Sequence, residues 1–230
     1  MAYFRTMAAG AVLGVSLLLT GCIELTKDAT FHENGEVRVE LEIGLSAELA
    51  AMLSNPALAK QFGTGNSLNP IADCGKPWPA NEPLPDGVRS AESRRGKRGD
   101  METCTLMFDV SDPIAAVESA MKVEVPNADA VPKQDISLTR LPSGYRLRVG
   151  MTPAKQPELP PEAAKMAAAL MQAMFANRYL TLNLSGKKIE NTNGELSADK
   201  SKVTWKLPLA SLADPSPETP TTIEADIIYR

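Results

Sequence analysis

Chemistry in a folded chain needs nucleophiles, bases or metal ligands held close together, and this sequence is sparing with all three. Its 230 residues hold one His, His32, and three Cys, namely Cys22, Cys74 and Cys104. A serine or cysteine hydrolase needs a base beside its nucleophile, but His32 alternates onto the wet side of a strand next to Glu33, a surface position. The cysteines have no CxxC spacing and no second His to join them, so a zinc ligand set is missing. GxSxG, HExxH, a P-loop and a GxGxxG before a helix are all missing as well. Gly63-Thr64-Gly65-Asn66 follows no strand, which a phosphate cradle would require. The 28 acidic residues offer many carboxylate pairs, none of which the sequence alone brings together. No catalytic residue, metal or cofactor is expected, and the chain reads as a binding protein and not an enzyme.

Two groupings could bind without catalysing. Arg94, Arg95, Lys97 and Arg98, with Arg89 nearby, are the densest cationic run and could meet phosphate head groups, each contributing about 1 kcal/mol near an anionic surface. The plainer reading is a solvated loop kept soluble by charge. Met166, Leu170, Met171 and Met174 fall in an expected helix from Pro160-Pro161 to about Asn177. Methionines adapt to ligands of variable shape, which suits the wall of an apolar lipid cavity; the plainer reading is an ordinary core helix.

Residues 1–21 carry Arg5, an apolar run from Met7 to Leu19 and small residues before Cys22, the anatomy of an export leader. The run is shorter than the roughly 20 apolar residues that span a bilayer. Leu19-Thr20-Gly21-Cys22 resembles a bacterial lipobox, which implies that Cys22 is acylated and begins the mature chain. The alternative is an ordinary leader followed by an unmodified cysteine. Each buried methylene contributes about 0.8 kcal/mol, so the several acyl chains of a bacterial lipoprotein hold it on the membrane. Ile23 follows Cys22 where Asp resembles the inner-membrane retention signal, which favours the periplasmic face of the outer membrane in a Gram-negative host. In that oxidising compartment Cys74 and Cys104 are the remaining pair, and a disulfide is expected. The competing reading is two reactive thiols.

The net charge of -4 argues against nucleic acid as a partner. A composition of 43% hydrophobic and 23% charged residues is that of a globular chain. Ile23, Leu25, Ala29 and Phe31 alternate with polar residues, as do Val37, Val39, Leu41, Ile43 and Leu45, on either side of Asn34-Gly35. A three-residue loop, Glu33-Asn34-Gly35, sets Phe31 opposite Val37 and predicts a type I turn with Gly35 left-handed in a G1 bulge. Ser46 predicts a cap for a helix over 47–53, and Asn55-Pro56 one for 57–62. Residues 63–99 are rich in Gly, Pro and charge and read as irregular. Cys104, Leu106, Phe108 and Val110 alternate as a strand; Asp112-Pro113 opens a helix over 114–121. Ile136 and Leu138, then Tyr145, Leu147, Val149 and Met151, flank Pro142-Ser143-Gly144 as a second hairpin. Leu180, Leu182 and Leu184, then Val203, Trp205, Leu207 and Leu209, then Ile223, Ala225, Ile227 and Tyr229 form later strands. About eight strands and four helices predict an α+β fold. Its sheet is expected to be curved, mostly antiparallel and built from hairpins, with helices packed on one face. Residues 22–230 are expected as one domain, interrupted by an irregular, disulfide-tethered insertion at about 63–103.

The order of lipobox, acidic hairpin with Asn-Gly, Ala/Leu helix, Arg178-Tyr179-Leu180-Thr181-Leu182, Asn191-Thr192-Asn193-Gly194, Val203-Thr204-Trp205-Lys206-Leu207-Pro208-Leu209 and a final Ile223-Glu224-Ala225 strand resembles the LppM-type lipoprotein domain. That family is an α/β module related to lipid-binding folds. The resemblance implies an envelope lipoprotein that binds lipid or glycolipid, with no catalytic residues to carry over. The segment between Cys74 and Cys104 has no counterpart in it, and the Asn191–Gly194 and Trp205 motifs read equally as a turn and a core anchor. Two functions follow: a lipid or glycolipid binder anchored by acylated Cys22, or a structural module that docks onto another envelope protein through a sheet edge or the 63–99 segment.

Overall fold

The computed structural model describes residues 23–56, 69, 71–79, 83–122, 133–152, 178–209 and 222–230. The leader expected at 1–21, Cys22, the helix expected at 57–62 and the helix expected from Pro160 to Asn177 lie outside them.

Strands β1 (Ile23–Phe31) and β2 (Val37–Ser46) form the first hairpin, with Phe31 opposite Val37 and Ile23 opposite Leu45. The Gly35 N–H donates to the His32 carbonyl and the His32 N–H to the Glu36 carbonyl, both at 2.9 Å. Gly35 takes φ 86°, so the loop has three residues and ends on the left-handed glycine that the strand twist demands. Ser46 closes β2 and caps helix α1 (Ala47–Leu53), its Oγ accepting from the Leu49 N–H at 3.2 Å.

Strands β3 (Val88–Arg98) and β4 (Met101–Val110) pair antiparallel along their whole length. This corrects the irregular insertion expected at about 63–103, whose last third is regular sheet. The register shifts between Val88 and Ser90, and among the described residues β3 has a neighbour on one side only. An edge strand tolerates Arg, Lys and Ser on its surface, which is why the segment carries no clear alternation. Asp112 caps helix α2 (Pro113–Met121), its Oδ1 accepting from the N–H groups of Ile114 and Ala115 at 3.2 Å each. Strands β5 (Lys133–Leu141) and β6 (Gly144–Thr152) form the second hairpin. Five strands follow: β7 (Tyr179–Ser185), β8 (Lys188–Glu190), β9 (Glu195–Leu196), β10 (Lys202–Pro208) and β11 (Thr222–Ile228).

The architecture is α+β and mostly antiparallel, with the strands divided between two sheets. Among the described residues one has seven strands in the order β3-β4-β2-β1-β7-β10-β9, the other four in the order β5-β6-β11-β8. The exception to antiparallel pairing is β1 with β7, which sets Leu25 beside Leu180 and Lys27 beside Leu182.

The larger core lies where the two sheets face each other. Phe31, Val37, Leu184, Val203, Trp205 and Leu207 come from the seven-stranded sheet, and Tyr145, Ile189, Ile223, Ala225 and Ile227 from the four-stranded one. Tyr145 sits between Phe31 and Tyr229, with ring centroids 5.8 and 5.3 Å away. Asn193 ties the layers together. Its Oδ1 accepts from the indole N–H of Trp205 at 2.9 Å and from the Glu224 N–H at 3.1 Å, and its Nδ2 donates to the Thr222 carbonyl at 2.7 Å. Gly194 lies flat on Trp205: a Cβ there would fall 2.6 Å from the indole and 2.5 Å from Val203, so no larger residue fits. The Asn-Gly and Trp motifs are thus a turn and a core anchor.

A second core joins α1 to the sheet through Leu45, Leu49, Ala50, Ile71 and Cys104. Cys74 and Cys104 are disulfide-bonded, their Cα atoms 5.8 Å apart. The Asn69 Oδ1 accepts from the Ile71 N–H at 3.0 Å, and Arg95 donates to the Ile71 carbonyl at 2.9 Å. Residues 71–79, which have no strand or helix of their own, are held by this disulfide and these bonds.

Reducing the disulfide releases a closed loop with 30 residues of separation and should cost about 3 to 4 kcal/mol in the chain-entropy account. Urea unfolding with and without reductant measures it, and an unchanged midpoint would count against the account. Asn193→Ala strands the buried indole N–H and should cost about 1–3 kcal/mol, with a shift in Trp emission. An emission spectrum and midpoint like those of the unaltered chain would contradict that role.

Candidate functional site

Cross-strand register sorts the side chains of the seven-stranded sheet onto two faces. Even-numbered residues of β1 and β2 share one face with Arg94, Thr105, Met107 and Asp109 of the flanking strands. Here a hollow of about 300 Å³ is lined by Thr26, Asp28, Arg38, Glu40, Glu42, Arg94, Arg98, Thr105 and Met107. Its charges largely answer one another. Arg38 meets Glu40 at 2.9 Å and Asp109 at 3.2 Å, and Arg98 meets Glu24 and, at 3.3 Å, Glu42. These are part-exposed pairs, each contributing little to stability. Their effect is to keep this face wet and the other face inward.

The opposite face is apolar, and the two cores cover it unequally. The larger core takes Ala29, Phe31, Val37, Val39 and Phe108; the smaller takes Ile23, Ile43, Leu45 and Leu106. Leu25 and Leu41 lie between and, among the described residues, pack into neither. Lys27 stands in the middle of this strip, opposite Leu41 on one side and beside Leu182 on the other. It keeps solvent access along its length, yet crowding by its surroundings pushes its ammonium below the usual lysine range. Among the described residues no carboxylate and no hydrogen-bond acceptor meets it. A cation at this position breaks the apolar pattern that its neighbours on both strands keep.

The four cations of the 94–98 run do not form one patch. Arg94 and Arg98 line the polar hollow, whereas Arg95 and Lys97 alternate to the other side. Arg95 is spent on the carbonyls of Ile71 and Ala72, at 2.9 and 3.3 Å, and Arg98 on Glu24 and Glu42. Nearby Arg89 is held by Glu36 at 2.7 and 3.1 Å. Strand geometry thus divides these residues between two faces: Arg95 and Arg98 have protein partners, and Arg94 and Lys97 point opposite ways. His32 is exposed in the hairpin loop. Cys22, Met166, Leu170, Met171 and Met174 lie outside the described residues. The charge of Lys27 breaks the apolar alternation of β1 and so hides it from a search for hydrophobic residues; the signal for it in the sequence is that very break, at an odd position with leucine two residues before and alanine two after.

No family model matches the sequence, and no curated protein matches it either. The structure is similar to the NMR structure of the folded domain of the Mycobacterium tuberculosis LppM protein. The sequence identity is 15%, the overlap covers 90% of each chain, and the TM-score is 0.48. Among the described residues no helix is long and apolar enough to cross a membrane.

Lys27 has its proton affinity lowered on folding, so the unfolded chain holds that proton more tightly. The cost is fully present below the lowered folded value and fades as pH climbs toward the ordinary lysine range. Lys27→Met should therefore be more stable than the unaltered chain at neutral pH, with the gap narrowing in alkaline buffer. Urea midpoints between neutral and alkaline pH measure this, and a variant less stable at neutrality would overturn the assignment.

Proposed function

We propose that this chain is a non-catalytic envelope lipoprotein, held on the membrane by acylated Cys22, whose domain binds lipid or glycolipid on the apolar face of the seven-stranded sheet. One observation carries the reading: the strip of Leu25, Lys27 and Leu41 between two cores, which the described residues leave incompletely packed. Binding sites of this kind are apolar surfaces with a few placed polar groups, and this strip has an aliphatic floor and a single charge. The expected methionines of 160–177 would suit the same ligand. The acyl anchor rests on the Leu19-Thr20-Gly21-Cys22 sequence. It would keep the domain within reach of membrane lipid, on the periplasmic face of the outer membrane in a Gram-negative host.

The second reading is a module that docks onto another envelope protein. It draws support from β3, an eleven-residue strand at the end of its sheet, because an open edge can accept a partner strand. The Arg and Lys side chains along β3 weigh the other way, since such charges guard edges against pairing.

Two measurements test the proposal together. Growth with an alkyne-bearing fatty acid should label the unaltered chain and not Cys22→Ala. Organic extraction of the protein purified in its folded state should yield one defined lipid in near-stoichiometric amount. Absence of label would remove the anchor; a lipid-free extract, together with crosslinking to one envelope protein, would replace the binder with the docking module.

A further inference from the structure

The apolar strip is selective in what it could hold. On its face the neighbours of Lys27 are Leu25 and Ala29 along β1, Leu41 across β2, and Leu180 and Leu182 on β7, as the register sets them. None of these side chains donates or accepts a hydrogen bond. A sugar or a doubly charged phosphate monoester brings several polar groups and would leave most of them unsatisfied here, each a desolvation cost. A carboxylate brings a single negative charge and a long apolar tail. The strip offers one ammonium without an acidic partner among the described residues and leucines on either side of it.

We propose that Lys27 holds the head of a fatty carboxylate whose acyl chain lies along Leu25 and Leu41. This rests on the lipid-binding reading above and narrows it to a single-chain acidic amphiphile. Charge complementarity gives the orientation: the carboxylate meets the ammonium, and the tail runs on the aliphatic surface between the two cores. A charge-assisted hydrogen bond is stronger than a neutral one, so the acid should be preferred over the alcohol of the same chain length.

Native mass spectrometry of the full chain, released from detergent micelles after incubation with oleate or with oleyl alcohol, tests this. The unaltered protein should retain one oleate at least about tenfold better than oleyl alcohol. Lys27→Met should lose that preference by reducing oleate retention alone, and Lys27→Arg should keep it. The acid-to-alcohol comparison on the unaltered chain stands even if a variant fails to fold. Equal retention of both amphiphiles, or an oleate adduct undiminished in Lys27→Met, would overturn the role of Lys27 and leave lipid binding intact. Retention of neither by the unaltered chain would overturn this inference and lipid binding together.

Discussion

Strand β1 is the constraint on which the rest of the molecule depends. It pairs with β2 on one side over its entire length and with β7 on the other, so residues near 25 and near 180 share one sheet. Every side chain of that sheet is then assigned to a face by its distance from β1 in hydrogen-bond register. A slip of one residue at β1 would turn Leu25, Ala29 and Phe31 toward the ion pairs, and Glu24, Thr26 and Asp28 into the core. The loop at Gly35 opposes such a slip, because a two-residue turn at Asn34-Gly35 would put Phe31 against Arg38.

From that register the two sides of the sheet acquire different tasks. One is a lattice of ion pairs among Arg38, Glu40, Asp109, Arg98, Glu24 and Glu42, which stays in water. The other is divided between two cores with separate fastenings. Near the hairpin loop, Asn193 and Trp205 lock the four-stranded sheet in place; at the other end of β1 and β2, α1 and the Cys74–Cys104 disulfide do the same for the smaller core. Two anchored ends leave a middle, and the middle contains Lys27. Its lowered proton affinity marks it as a group that the stability of the fold does not favour.

Much of this was legible in the residues. Local chemistry wrote itself plainly: Ser46 and Asp112 as caps, the three-residue loop ending on Gly35, and the alternation of β4, β6, β7, β10 and β11. What escaped was non-local or masked by charge. Nothing near Leu25 or Leu180 announces that they lie side by side in parallel, because such pairing is decided by the packing of distant elements and not by turn residues. Strand β3 looked irregular because an edge with one neighbour accepts Arg, Lys and Ser where an inner strand would not. The cationic run looked like one patch because sequence adjacency hides that strand neighbours face opposite ways. For the candidate site, the apolar face was readable and the lysine within it was not, since a rule that collects hydrophobic residues discards the one residue that breaks it.

The account stands on the apolar strip being where lipid binds, and amide NMR mapping tests that most directly. The isotope-labelled domain, from Ile23 onward, would be titrated with the lipid recovered from its own folded state or, failing one, with a long-chain fatty acid. The account predicts saturable shifts centred on Leu25, Lys27, Leu41 and Leu182, with the amides around Trp205 and Asn193 little changed. Shifts confined to the polar hollow or to the outer edge of β3, or no shifts at all, would contradict it.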